Sequence, residues 1–335
     1  MKKWTQDIIS SAQSITIPIM TTPGIEICGY HIKDAVTNGS IHYEAISRLN
    51  SIFPSAACTA IMDLTVEAEA FGAEIIFPPN EIPAVSGVLV SDYESIQKLQ
   101  IPSFDKGRIN EYLKANRLAA NNITDKPVFA GCIGPFSLAG RLYDMTDIMI
   151  AIYTEPESIH LLLDKSTQFI KNYCKAIKET GVNGIIIAEP AAGLISDRDC
   201  SIFSSHYVKQ IVEELQDDNF MIILHNCGNT GHCTQAMLET RAAGLHFGNK
   251  IDITKVLQEC PDNILIMGNI DPVGIIKEAS AQQVKEKTYQ LLEQTSRWKN
   301  FVLSTGCDVP PNVPFENILA YYQAMTEYNS HSLKR

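Results

Sequence analysis

The sequence predicts an α/β protein of the (β/α)8 TIM-barrel type, with an N-terminal helical extension and an elaborated connection after the second strand. Three observations carry this. Eight short apolar runs alternate with stretches of helical period, and runs apolar on both faces with helical crossovers require a parallel sheet covered by helices. The polar residues that carry chemistry, Glu189, His225, Cys227, His246, Asn269, Asp271 and Cys307, fall where those runs stop, at the carboxyl ends where barrels place their sites. Neither Gly-x-Gly-x-x-Gly nor Gly-x-x-x-x-Gly-Lys-Ser/Thr follows an early strand, so a nucleotide-binding sheet is the weaker choice.

In chain order, an amphipathic opening segment precedes Ser14 to Met20, read as the first strand although Pro18 cannot donate a ladder bond. Thr21-Thr-Pro-Gly24 turns the chain, and Ile25 to Ile41 reads as irregular. From Ser40 to Phe71 the pattern is helical and stops at Gly72, a C-cap residue. Ala73 to Phe77 is taken as the second strand, closed by Pro78-Pro79. Residues 78–125 offer no convincing strand and read as a surface excursion over the barrel mouth. Further strands follow at 126–134, 184–189, 220–224, 242–246, 263–268 and 301–304, with helices at 201–215, 253–259, 281–298 and 314–328. No repeat, low-complexity tract or linker interrupts them, so residues 1–335 are expected to form one domain.

A hydrophobic content of 45% over 335 residues supports a core of barrel size. The net charge of -11 argues against non-specific nucleic-acid binding. No run of eighteen apolar residues and no signal-peptide pattern occurs, so a cytoplasmic protein without a membrane span is expected. The 9 cysteines lack the spacing of a disulfide scaffold and suit reduced thiols, most of them small core residues.

Phe220-Met-Ile-Ile-Leu-His225-Asn-Cys227 and Phe301-Val-Leu-Ser-Thr-Gly-Cys307 are the informative stretches. Side chains two apart on a strand share a face, so His225 and Cys227 point the same way if the strand runs through Asn226. With Cys307 from a neighbouring strand they define three corners of a tetrahedral zinc site, and the fourth stays free for chemistry. Two thiolates already cancel the charge of the dication, which favours activating a third, substrate thiolate over activating water.

Glu189 has three readings besides a carboxylate bonded to loop amides: orienting a ligand, acting as a replaceable fourth ligand, or handling the thiol proton. Asn269 and Asp271 either face substrate at the mouth or form Asx turns before Pro272. His246 is either a satisfied core histidine or a substrate contact. Asp63 and Glu67, four apart on one helical face, read as a solvated pair, while Cys132, His232 and Cys233 read as spectators.

Met62-Asp-Leu-Thr-Val-Glu-Ala-Glu69, Gly134-Pro-Phe-Ser-Leu-Ala-Gly140, Ala188-Glu-Pro-Ala-Ala192, His225-Asn-Cys-Gly-Asn229, Met267-Gly-Asn-Ile-Asp-Pro272 and Ser304-Thr-Gly-Cys-Asp308 resemble the uroporphyrinogen decarboxylase superfamily. Within it they are similar to the cobalamin-dependent methyltransferases typified by methylcobalamin:coenzyme M methyltransferase. The resemblance spans roughly residues 10–328 and is most specific at His225, Cys227 and Cys307, which match that branch's zinc ligands. It implies a TIM-type barrel, zinc that activates a thiol such as coenzyme M, and a methyl group supplied by a corrinoid on a partner carrier protein. The thiolate would attack the cobalt-bound methyl in line and leave Co(I). True decarboxylases grip their substrate through an N-terminal arginine-rich motif, whereas Met20 to Tyr30 here contains no arginine. Other readings are a demethylase passing methyl from a small amine or ether to the corrinoid, and an accessory protein that binds corrinoid or metal without turnover.

Overall fold

The computed structural model describes residues 1–332. Seven parallel strands form the sheet, in the order β1 (Cys58–Thr59), β4 (Val128–Ile133), β5 (Gly184–Ala188), β6 (Met221–Asn226), β7 (Gly244–Phe247), β8 (Leu265–Ile270) and β9 (Phe301–Thr305). Residues 15–19 supply the eighth stave. Ile17 N–H donates to Leu303 O at 2.9 Å and Leu303 N–H to Ile15 O at 3.1 Å, while on the other edge Ala56 N–H donates to Thr16 O at 2.9 Å. This segment therefore closes the curled sheet between β9 and β1. Only the bridge at Thr16 is regular, because Pro18 removes a donor where a ladder would continue.

Alternation along the staves fills the interior. Ile17, Ile19, Phe129, Ile186, Met221, Ile223, Leu265, Met267 and Val302 form one buried cluster, at inward-facing positions two apart. The N-terminal helix Lys2–Ser10 plugs the amino end, with Ile8 in that cluster and the Trp4 ring 5.9 Å from Phe129. Continuing the parity carries Met221 and Ile223 to His225, Gly244 to His246, and Val302 to Ser304. All three polar residues thus point inward at the carboxyl end.

Four sequence expectations are corrected. The helix read across Ser40–Phe71 is two helices, Gly39–Ile52 and Val66–Phe71, with β1 between them. Pro54 disfavours helical backbone at Phe53, and β1 escapes notice because it is two residues long and built from Cys and Thr. Ala73–Phe77 is not a barrel stave: β2 (Glu74–Ile76) pairs antiparallel with β3 (Ala84–Ser86) in a separate hairpin. Its residues are exposed or half-buried, unlike a parallel strand covered on both faces. The turn read at Thr21–Gly24 and the irregular stretch read after it hold helices at Thr22–Ile27 and Ile32–Thr37.

The fourth correction concerns Asp63 and Glu67, which are buried. Asp63 pairs with Arg108, whose guanidinium also reaches Glu69 at 2.7 Å, Thr65 Oγ1 at 2.8 Å and Val36 O at 3.1 Å. The excursion is pinned to the barrel through this arginine. Glu67 accepts a bond from Ile133 N–H at 3.1 Å while its second oxygen has no partner, and burial pushes its pKa up to about 8. Such a carboxyl keeps its proton in the native state between its unfolded value near 4.5 and about 8, so stability falls as pH rises through that window. Glu67→Gln removes the slope. Denaturant unfolding at pH 5 and pH 9 should show the variant gaining on the wild type with rising pH, by on the order of 1.4 kcal/mol per unit across the window. Parallel curves for the two proteins would contradict this.

Candidate metal centre

β6 runs through Asn226, and Cys227 opens the turn that follows it. A ligand atom from each of His225, Cys227 and Cys307 lies within 4.8 Å of the others. Two close approaches of backbone bring the two cysteines, some eighty positions apart, together. A Cβ on Gly248 would sit 2.8 Å from Cys227 Cα, and one on Gly306 would sit 2.6 Å from Asn249 N. Glycine at both positions lets the loops after β6, β7 and β9 nest against one another.

Each loop is held by polar side chains. Asn226 Oδ1 accepts from Gly228 N–H at 3.1 Å and Asn229 N–H at 3.0 Å, which fixes the turn carrying Cys227. Asp308, half-buried beside Cys307, accepts from Thr21 Oγ1 at 2.7 Å and Thr21 N–H at 3.2 Å, and desolvation of its carboxyl raises its pKa to about 6. That pair ties the loop after β9 to the loop after the first stave.

The two sulfurs lie within 4.8 Å of each other, and their interaction shifts the thiols in opposite directions. It holds Cys227 below the usual thiol range against burial, while the same interaction, then burial, pushes Cys307 up. One imidazole and two such thiols are the donor set that a tetrahedral zinc ion takes, and their mutual spacing lets them share one ion. The residues fit the group.

The structure places the other predicted residues differently. Glu189 is buried, and its carboxylate accepts from Phe136 N–H at 2.8 Å, Ser137 N–H at 2.9 Å and Ser137 Oγ at 2.7 Å. Burial raises its pKa to about 7 against those bonds. It thus caps the helix Pro135–Tyr143 and is not part of the three-residue cluster. Gly134 makes room for it, since a Cβ there would meet Glu189 Cγ at 2.3 Å. Asn269 donates to Gly248 O at 3.0 Å and Ile251 O at 2.8 Å, bracing the loop that packs on Cys227. Asp271 caps the turn after β8 through Val273 N–H at 2.9 Å and Gly274 N–H at 3.0 Å, the Asx alternative.

His246 is the residue whose role spacing alone does not reveal. It is fully buried, its Nδ1 lies 2.8 Å from His225 Nδ1, and its Nε2 lies 2.8 Å from Ser304 Oγ. Burial first, then the neighbouring His225, holds its pKa well below the ordinary histidine value. The pairing depends on the register of β6 and β7, which sets His225 opposite His246.

The uroporphyrinogen decarboxylase (URO-D) family profile matches residues 20–328, and the chain belongs to that family. Among its relatives, the methylcobamide:CoM methyltransferase MtbA of Methanosarcina acetivorans is 29% identical over 271 residues, 79% of this chain and 78% of that protein. The uroporphyrinogen decarboxylase of Serratia proteamaculans is 26% identical over 285 residues, 82% of this chain and 79% of that protein. A solved methyltransferase from Methanosarcina mazei superposes with a TM-score of 0.87 at 22% identity, covering 98% of both chains, which shows a common fold. Among the described residues no helix is long and apolar enough to cross a membrane.

Proposed function

We propose that the protein is a zinc-dependent methyltransferase that moves a methyl group from a methylated corrinoid, presented by a carrier protein, to a small thiol such as coenzyme M. The observation that carries the reading is the His225, Cys227 and Cys307 cluster at the carboxyl end of the barrel. A zinc ion held there would act as a Lewis acid that keeps a substrate sulfur in its nucleophilic thiolate form at neutral pH. His225 contributes an imidazole nitrogen. Cys227 and Cys307 contribute sulfurs whose combined charge tempers the metal, so that a bound thiolate stays reactive. Gly248, Gly306 and the Asn226 turn set the spacing of these donors, and Asn269 acts by bracing the Gly248 loop. Glu189 enters as a scaffold carboxylate that orders the helix beside the mouth.

Relatives under two activity names match at similar identity, so a decarboxylase reading has to be weighed. Two features favour methyl transfer: the soft-ligand cluster, and the absence of arginine from Met20 to Tyr30, where a polycarboxylate would need cations. The test is to incubate zinc-loaded protein with methylcobalamin and a panel of thiols, following loss of the methylcobalamin spectrum and formation of the thioether. Thioether should form with at least one thiol. Should methyl leave a small amine or ether for reduced corrinoid instead, the direction is reversed. Decarboxylation of uroporphyrinogen with no methyl movement either way would contradict the reading.

A further inference from the structure

The contacts of His246 fix more than its own place. Ser304 Oγ lies 2.7 Å from Ile17 O, a carbonyl that can only accept, so the Ser304 hydroxyl hydrogen is spent there. The 2.8 Å contact between Ser304 Oγ and His246 Nε2 then needs its hydrogen from the imidazole, which puts a proton on Nε2. His246 is fully buried, and none of its ring contacts is to a carboxylate, so it is neutral and its Nδ1 carries a lone pair. The 2.8 Å contact between the two Nδ1 atoms needs one hydrogen, and only His225 can supply it. His225 therefore carries a proton on Nδ1, and in the neutral form that a metal ion takes its lone pair is on Nε2.

We propose that Ile17, Ser304 and His246 form a positioning relay that fixes the tautomer and ring orientation of His225, so that its Nε2 is the nitrogen offered to a metal ion. The inference rests on the metal reading above. A metal-bound histidine commonly donates its other N–H to a carboxylate, carbonyl or water, and that partner sets which nitrogen ligates. Here the acceptor is a second imidazole, and the direction of the relay is set by a main-chain carbonyl three links away. A neutral acceptor adds no negative charge to the centre, whereas a carboxylate would oppose the binding of an anionic sulfur.

Long-range proton–nitrogen NMR of the labelled full-length protein reads the tautomers, with zinc or without it. His225 should show a protonated Nδ1, and His246 a protonated Nε2 with a bare Nδ1. On zinc addition only the His225 Nε2 resonance should shift as a ligand. Chelator competition supplies the second readout. His246→Leu should weaken zinc binding about 10–100-fold. His246→Asn, whose Oδ1 overlays the accepting Nδ1, should stay within about threefold of wild type on the same argument. Ser304→Ala keeps the test open should the leucine variant fail to fold; it should give mixed tautomers at both rings. A proton on His225 Nε2, or equal losses in His246→Leu and His246→Asn, would overturn the relay. Wild-type protein that takes up no zinc yet shows the expected tautomers would defeat the metal reading and leave the relay standing.

Discussion

Cys307→Ala is expected to lower methyl transfer to thiol by about 10³-fold, because the several kcal/mol of charge stabilisation a metal supplies corresponds to about three decades of rate. The loss follows from geometry. Cys307 is one of only three donors in the cluster, and removing it leaves His225 and Cys227, two positions apart on one strand end, to hold the ion. The variant should fold, because Cys307 lies in a loop after β9, is partly exposed and belongs to neither buried core cluster. Cys260→Ala is the control: that thiol is also free but lies outside the cluster, so the rate should be unchanged. Initial rates of methylcobalamin loss at saturating thiol decide the matter. Equal rates in Cys307→Ala and wild type would remove the metal from the mechanism.

Replacing Arg108 by methionine should destabilise the fold by about 3–5 kcal/mol, the range for removing one partner of a buried ion pair. Asp63 would be left buried without its counter-ion, and Glu69, Thr65 and the Val36 carbonyl would each lose a donor. The Arg108 guanidinium also lies 4.7 Å from the centre of the Phe77 ring, so the hairpin loses a contact as well. Urea unfolding gives the size of the effect. A double variant with Asp63→Asn should recover part of the loss, because the second change removes the stranded charge. A loss under about 1 kcal/mol would show that the pair behaves as an exposed one.

The legible and illegible parts of this chain divide along a physical line. β4 to β9 stand out because each is an apolar run that ends abruptly, and burial on both faces permits little else. The cluster was readable for a related reason: strand parity puts His225 and Cys227 on one side, and Cys307 ends another run. β1 was not, since two residues of Cys and Thr carry no periodicity, and the helical pattern was carried through Pro54. That error also misassigned Asp63, which follows a barrel strand and is buried, not exposed on a helix face. The two short helices between Thr22 and Thr37 and the strand β3 were missed because six-residue helices and three-residue strands are below the length at which a period shows, and without β3 the strand at Ala73–Phe77 was assigned to the barrel. His246 and Ser304 meet only because three strands come into register and the barrel closes on Ile17. No spacing within one segment encodes that. Glu189 and Asp271 have their carboxylates engaged by backbone N–H groups, the plainer of the readings open to them, while Asn269 takes neither of its two readings and donates across to the loop after β7.

Zinc-edge X-ray absorption on the purified, zinc-saturated protein decides whether the three side chains share one ion. About one zinc per chain is expected, with two sulfurs near 2.3 Å and nitrogen near 2.0–2.1 Å, and a third sulfur appearing when a substrate thiol is added. A first shell of oxygen and nitrogen alone, or a protein that holds no zinc with all three side chains intact, would contradict that expectation.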